Sequence, residues 1–179
     1  MSIIPLTSKK KDGKFSFFDE LKKIFHDNKV MIENGDVIVI SSKFISISQG
    51  RVLKIDKSRV CNKAKQISKK FNSNDKFMEI VFRESDRIFG GVSGFVMSST
   101  DGILAPNAGI DKSNSKGTEI ILYPIEPYKF AEELKRKIFL EFNLHVGVII
   151  VDSRLMPTRI GTTGITIACA GLEPTKDLR

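Results

Sequence analysis

The stretch Val146-Gly147-Val148-Ile149-Ile150-Val151-Asp152-Ser153 joins a run of β-branched residues to a carboxylate and a hydroxyl. A continuous β-branched run is typical of a strand that is buried on both faces of a sheet. Residues 37–40, Val-Ile-Val-Ile, repeat the pattern and predict a second strand of this kind. Ligands tend to gather beyond the carboxyl ends of such strands, so Asp152 and Ser153 are candidate site residues. The alternative is that Asp152 caps the turn after its strand.

Working outward, the remaining chain alternates between helical and strand-like patterns. Apolar residues at helical spacing predict helices over residues 17–27, 58–70, 75–88 and 128–142. Short strands are predicted over 3–6, 44–48 and 119–123, and a hairpin over 95–105 around the turn Asp101-Gly102. Hairpins beside strand–helix–strand units indicate an α+β fold, and 179 residues suit a single domain over 1–179.

Composition favours a soluble cytoplasmic protein. No apolar run approaches the roughly 20 residues that span a bilayer, and the first residues lack a signal-peptide pattern. The two cysteines, Cys61 and Cys169, lie far apart, which predicts buried thiols in a reducing compartment. The net charge is +8, from 29 basic and 21 acidic residues. The lysine clusters lack interleaved aromatic residues, which disfavours nucleic acid and favours a solvated face or a small polyanion as the partner.

The loop Asn107-Ala108-Gly109-Ile110-Asp111-Lys112-Ser113-Asn114 is the strongest local signal for chemistry. Small residues let a backbone approach a ligand closely, and the polar side chains offer several oxygens within a short span. Hard cations such as Mg²⁺ and Mn²⁺ prefer oxygen ligands and often share them with substrate phosphates. The alternative is a tight turn in which Asn and Asp bind their own backbone. Two carboxylates, Asp111 and Asp152, therefore suggest a metal centre, provided that they meet in space.

A weaker signal for phosphate binding lies at Ser41-Ser42-Lys43, which follows the run at 37–40. Hydroxyl, amide and ammonium groups there could donate to a phosphate. The stretch lacks the glycine spacing of a Walker loop. Gly161-Thr162-Thr163-Gly164 can likewise be an anion-binding turn or a connector between strands.

Taken in order, these pieces resemble the coenzyme F420 γ-glutamyl ligase family over essentially the whole chain. The run Asn107 to Asn114 is the most specific match. The other matching stretches are Ile4-Pro5-Leu6, Asn34 to Ser42, Ser48-Gln49-Gly50-Arg51, Phe82-Arg83-Glu84-Ser85, Val148 to Ser153 and Arg159 to Gly171.

The resemblance implies an α+β fold with mixed sheets and flanking helices, paired as an intertwined homodimer. It implies an enzyme that uses GTP and Mn²⁺ or Mg²⁺ to add L-glutamate to a deazaflavin, through phosphorylation of a carboxylate and amine attack on the acyl phosphate. Asp111, Asp152 and Ser153 fall on family metal ligands. The positions that match family GTP contacts are Pro5, Leu6, Ser42 and Asn114.

Three departures from the family pattern limit this implication. Ile47 stands where the family carries a nucleotide-contacting lysine, and we expect Lys43 to substitute for it from nearby. Leu155-Met156 replaces a usual Gly-Arg pair, and family ligases continue past residue 179. We therefore expect either the N-terminal part of a longer ligase or a short relative. The alternative function is a non-catalytic relative that binds a nucleotide or phosphorylated ligand.

Overall fold

The computed structural model describes residues 2–11, 13–55, 59–112, 119–156 and 160–176. Within these ranges the helices are α1 (Phe17–Asp27), α2 (Ser42–Ser48), α3 (Asn62–Lys70), α4 (Asp75–Glu84) and α5 (Pro127–Phe142). The strands are β1 (Val37–Ser41), β2 (Val52–Lys54), β3 (Arg87–Val92), β4 (Phe95–Thr100), β5 (Ile103–Pro106), β6 (Glu119–Ile121), β7 (Gly147–Leu155) and β8 (Thr162–Ala170). The predicted mixture of helices and sheets is confirmed. The predicted homodimer stays a prediction.

The contacts of the chain divide it into two compact units. Unit 1 comprises Met1–Gly50, Ile125–Val151 and Thr166–Arg179. Unit 2 comprises Arg51–Pro124 and Asp152–Ile165. The division falls within β7 and within β8, so each of these strands contributes residues to both units. A single domain over 1–179 stays a prediction.

Unit 1 is built on a sheet of order β1-β7-β8. β1 runs parallel to β7 in a register that starts at Val37 opposite Gly147 and ends at Ser41 opposite Val151. β7 is central, and its Val148 and Ile150 are completely buried, as the β-branched run predicts. β1 is an edge strand, and Val37 and Val39 are 49% and 59% exposed. The expectation that residues 37–40 are buried on both faces is therefore wrong: exposed Val37 and Val39 alternate with the more buried Ile38 and Ile40, so one face of β1 is open.

Residues 44–48 are helical rather than extended, which corrects the predicted strand. They belong to α2, in which Ile45 is fully buried. Phe44 lies 5.3 Å from the ring centre of Phe15 and 5.4 Å from that of Phe17. The sequence Phe-Ile-Ser-Ile-Ser alternates like a strand, but these aromatic contacts are satisfied by a helical turn.

Unit 2 places α3 and α4 beside two small antiparallel sheets, β3-β4-β5 and β2-β6. The predicted hairpin of β4 and β5 is confirmed. The core of unit 2 contains side chains from α4, from β4 and from β6, including Phe77, Met78, Val81, Val96 and Ile120.

The helix predicted to reach Ile88 ends at Glu84, and β3 begins at Arg87. Ser85 adopts an extended conformation, and its hydroxyl donates to the carbonyl of Val81 at 2.6 Å. This bond satisfies one of the last helical carbonyls and releases the chain into the sheet.

Four further expectations fail or change. Ile3–Leu6 does not form a strand. α3 begins at Asn62 with Cys61 as its N-cap, and Ser58 lies outside the described residues. Residues 162–170 form β8, which the glycine- and threonine-rich sequence did not predict. Cys61 is exposed and Cys169 half-buried, so the expectation of two buried thiols is wrong.

In the described part of the chain, no helix has the length and apolar character needed to cross a bilayer.

Candidate functional site

The loop that precedes Asp111 has an unusual backbone. Asn107, Ala108 and Gly109 all have positive φ, at 51°, 57° and 67°. This left-handed conformation suits glycine and is tolerated by asparagine, but it costs an alanine on the order of 1 kcal/mol. Ala108 is completely buried, so its conformation is imposed by the surrounding packing.

Two buried side chains hold this loop in place. The hydroxyl of Ser98 donates to the carbonyl of Ala105 at 2.7 Å and accepts from the N–H of Ala108 at 2.9 Å. The side-chain oxygen of Asn107 accepts from the N–H of Val96 at 3.0 Å. Every atom in these bonds belongs to β4, β5 or the loop itself, so the hairpin fixes the backbone that leads to Asp111.

The small residue at 109 is explained by packing. A Cβ atom at Gly109 would lie 2.8 Å from Cδ2 of Tyr123, closer than side chains approach in proteins. Close approach of the backbone to a ligand, which the sequence suggested, is therefore not needed to explain this glycine.

Asp111 is anchored through its backbone beside β6. Its N–H and carbonyl both bond to Ile121, each at 2.9 Å, in an isolated antiparallel bridge. The side chain of Asp111 is partly exposed. The neighbouring Lys112 places its ammonium 3.2 Å from the ring centre of Phe77.

Asp152 lies inside β7 and not at its end, because the strand continues to Leu155. The expectation that Asp152-Ser153 follows the carboxyl end of the strand is therefore wrong. Successive residues of a strand project to opposite faces. Asp152 and Arg154 share one face, whereas the exposed Ser153 faces the other way. The role of Ser153 as a third metal ligand stays a prediction.

Asp152 forms an ion pair with a buried arginine. Nε and Nη2 of Arg154 both donate to Oδ2 of Asp152, at 3.0 and 2.6 Å. Nη1 of Arg154 donates to the carbonyl of Leu104 at 2.6 Å. The side chain of Arg154 is 4% exposed and that of Asp152 is 20% exposed. Sequence reasoning missed Arg154, since the pairing depends on β7 extending past Asp152.

Tyr123 connects the neighbourhoods of the two carboxylates. It follows Ile121, the partner of Asp111, by two residues. Burial raises the pKa of its hydroxyl to about 12, against the lowering effect of nearby Arg154 and with the carboxylates of Asp101 and Asp152 adding to the rise. Within the described ranges no hydrogen bond of acceptable geometry reaches this buried hydroxyl, although Arg154 is near.

Two of the matching stretches meet behind Tyr123. Nε of Arg51 donates to the Tyr123 carbonyl at 3.1 Å, and Nη2 of Arg51 pairs closely with Oε2 of Glu84. Thr100 donates its hydroxyl to the carbonyl of Glu84 at 3.2 Å. Residues 33 positions apart are paired here, and no local pattern in the sequence indicates it. These stretches support the site residues, and neither needs to touch a ligand to explain its composition.

The residues expected to contact a nucleotide lie mostly in unit 1. Pro5 is exposed and Leu6 half-buried, in a segment without regular secondary structure. The next residue, Thr7, bonds to the side-chain amide of Asn28, which holds this segment at the end of α1. Asn114 lies outside the described residues.

Ser42 and Lys43 begin α2, where Ser42 is 7% exposed. Ile47 lies on the same short helix and is half-buried. Lys43 is the expected substitute for the family's lysine, and Ile47 occupies that lysine's position. The structure places both on the same helix of unit 1. The expected metal residues Asp111, Asp152 and Ser153 all lie in unit 2.

Asp111 and Asp152 each carry carboxylate oxygens, the type of ligand that a hard cation prefers. In the part of the chain that the structure describes, no three His, Cys, Asp or Glu side chains cluster as metal ligands would. A cation shared by Asp111 and Asp152, with phosphate or water completing its coordination, stays a prediction.

Unit 1 also contains two grooves that include none of the expected site residues. The larger, of about 820 Å³, is lined mainly by α5 and by the residues that lead into β7, including Lys135, Arg136, Phe139 and His145. The smaller, of about 380 Å³, lies beside Phe15, Gln49 and Lys137.

Comparison with known proteins places residues 5–179 in a match to the family described as F420-0:Gamma-glutamyl ligase. Three relatives are named Coenzyme F420:L-glutamate ligase. The Archaeoglobus fulgidus relative is 31% identical, over 89% of this chain and 64% of its own length. The Methanopyrus kandleri relative is 28% identical over 98% and 68%, and the Methanocaldococcus jannaschii relative 34% over 79% and 57%. The chain thus spans about two thirds or less of these relatives.

Proposed function

The chain belongs to the F420-0:gamma-glutamyl ligase family, and on that basis we propose that it adds L-glutamate to a deazaflavin F420 precursor with GTP and Mn²⁺ or Mg²⁺. The observation that carries the proposal is the match over residues 5–179 together with relatives named for glutamate ligation to coenzyme F420. The expected chemistry is an amide bond formed through an acyl phosphate, as the family resemblance implies.

In this proposal Asp111 and Asp152 hold the cation. Both are oxygen donors anchored in unit 2, one by the bridge to Ile121 and the other by β7. A divalent cation would offset phosphate charge and orient phosphoryl transfer. Ser153 and Asn114 are proposed as further contacts, as the family resemblance implies.

The phosphate contacts proposed in unit 1 are Ser42 and Lys43, with Pro5 and Leu6 beside the nucleotide. Lys43 lies in the first turn of α2, so the backbone that carries its ammonium group is part of a helix. Location in the cytoplasm and assembly as a homodimer belong to the same proposal.

A second candidate function is binding of a nucleotide or phosphorylated ligand without ligation. Ile47, half-buried on α2, favours it because an isoleucine cannot neutralise phosphate. Asp152 favours it as well, since its carboxylate already has Arg154 as a counter-ion.

The test combines binding with product formation. The protein is titrated with GTP in the presence of Mn²⁺, and glutamate addition to the deazaflavin is then followed by mass spectrometry. We expect metal-dependent GTP binding and a product heavier by one glutamyl residue. GTP binding without product would favour the second candidate, and the absence of metal-dependent GTP binding would refute the proposed cation and nucleotide site.

Asp111→Asn should weaken Mn²⁺ binding, because it removes one of the carboxylate charges on the cation. Asp101→Asn is the matched control: it makes the same change at an exposed turn of the same unit, where asparagine tolerates the positive φ of 52°. Equal Mn²⁺ affinity in the two variants would contradict the role of Asp111.

A further inference from the structure

Arg154 is a buried cation whose charge is compensated within its own strand. It is 5% exposed, and two of its nitrogens donate to the same oxygen of Asp152. A third nitrogen is fixed by the carbonyl of Leu104 in β5. A buried charge without a partner is strongly destabilising, so Arg154 requires Asp152 as its counter-ion.

We infer that Arg154 sets the affinity of the proposed cation site, weakening it for a free divalent ion so that the ion binds together with a phosphate-bearing ligand. The inference rests on the proposed function, in which Asp152 is a ligand. It assigns to Arg154 the part of a positioning residue that acts through Asp152 and does not itself touch the cation.

The effect of Arg154 on the cation is electrostatic. A carboxylate attracts a divalent ion through its negative charge, and a guanidinium bound to that carboxylate cancels the charge and repels the ion at short range. Phosphate groups restore the missing negative charge, and small divalent cations commonly combine one or two carboxylates with substrate phosphates. The same two bonds to Oδ2 also fix the orientation of the carboxylate.

The first test measures Mn²⁺ affinity by calorimetry, and by the electron-spin resonance signal of the free ion, with and without GTP. Arg154→Met replaces the guanidinium side chain by an unbranched apolar one and so removes the charge. We therefore expect the variant to bind free Mn²⁺ at least about tenfold more tightly than the wild type. Arg154→Lys keeps the charge and should retain the weak affinity. The matched control is Arg87→Met, the same change at an exposed position of β3, which should leave the affinity unaltered.

A second measurement keeps the inference testable if Arg154→Met folds poorly. In a double-mutant cycle by thermal unfolding, Asp152→Asn should lower Tm more than the combined Asp152→Asn and Arg154→Met change, since only the single variant leaves a buried cation uncompensated. Additive effects on Tm would show that the pair is not coupled and would overturn the inference.

The outcomes separate this inference from the proposed function. Suppose that the wild type binds Mn²⁺ together with GTP, and that folded Arg154→Met binds free Mn²⁺ no more tightly than the wild type does. That result overturns the inference and leaves the proposed cation site intact. Tightening by Arg154→Lys equal to that by Arg154→Met also overturns it, because charge would then not be the cause. No Mn²⁺ binding by any variant, with or without GTP, refutes the cation site and this inference together.

Discussion

Replacing Gly109 by alanine should destabilise the protein by two separable effects. The residue has φ of 67°, and an L side chain there costs roughly 1 kcal/mol. The added Cβ would also lie 2.8 Å from Cδ2 of Tyr123. Forcing one extra methyl group into a packed site costs about 1–3 kcal/mol. Together the two effects predict a loss of about 2–4 kcal/mol in the free energy of unfolding.

Tyr123 has little room to move away from that methyl group. It is 3% exposed, and its carbonyl is held by Nε of Arg51 at 3.1 Å. The clash must therefore be absorbed by the loop, which also leads to Asp111. We expect Gly109→Ala to weaken Mn²⁺ binding as well as stability, because the bridge between Asp111 and Ile121 would shift.

Gly102→Ala is the matched control. Gly102 also has a positive φ, of 71°, but a Cβ there would meet no atom within 4 Å. It should lose only the backbone part, roughly 1 kcal/mol. The assay is urea unfolding followed by circular dichroism, with unfolding free energies compared at equal slope. If the two variants differ by less than about 0.5 kcal/mol, the contact with Tyr123 is not the cause and the reasoning fails.

Two further predictions concern buried polar groups of unit 2. Tyr123→Phe should leave the unfolding free energy unchanged or raise it by up to about 1 kcal/mol near neutral pH, since the hydroxyl has no partner within the described residues. Because the Tyr123 pKa rises to about 12 in the folded state, the wild type should lose stability above about pH 10, where the phenol of the unfolded chain ionises. The variant should lose less stability in that range. If the variant were less stable than the wild type by more than about 1 kcal/mol at neutral pH, the hydroxyl would have a hydrogen bond after all. Glu79→Gln should cost about 1–3 kcal/mol near neutral pH, because the buried carboxylate accepts from the backbone of Cys61 at 2.8 Å and from Arg83 at 2.6 Å. These bonds, and first of all the one from the Cys61 backbone, hold the Glu79 pKa below its ordinary value. The difference in unfolding free energy between variant and wild type should therefore shrink as pH falls below about 4.5 and through the folded pKa. A difference in denaturant unfolding that did not depend on pH would contradict this explanation.

Elements whose pattern is local were predictable from the sequence. The α5 helix has its apolar residues at helical spacing, and the hairpin of β4 and β5 is marked by Asp101-Gly102. Elements defined by a distant partner were not. β8 carries glycine and threonine without a clear period and is a strand because β7 lies beside it. Arg87 and Ile88 continued the helical pattern, but they begin β3, which pairs with β4 through a register shift near Gly90.

The site was only partly accessible for the same reason. Spacing offered Asp111 and Asp152 as candidates, and only the family resemblance joined them. The structure places both in unit 2, and their sharing of one cation stays a prediction. Arg154 could not be found, because its pairing with Asp152 requires β7 to run at least three residues further than the apolar run indicates.

The parallel pairing of β1 with β7 has a consequence for the order of folding. Val37 pairs with Gly147, 110 positions later, whereas Val92 pairs with Phe95 within one tight turn. Contacts between positions that are distant in the sequence form slowly. The entropy cost of closing the intervening loop must be met before these contacts can stabilise the chain. During synthesis from the amino terminus, β1 emerges early but has no strand partner until β7 has been made. The hairpin strands β3, β4 and β5 can pair well before that, so the segment translated first belongs to the unit that is completed last.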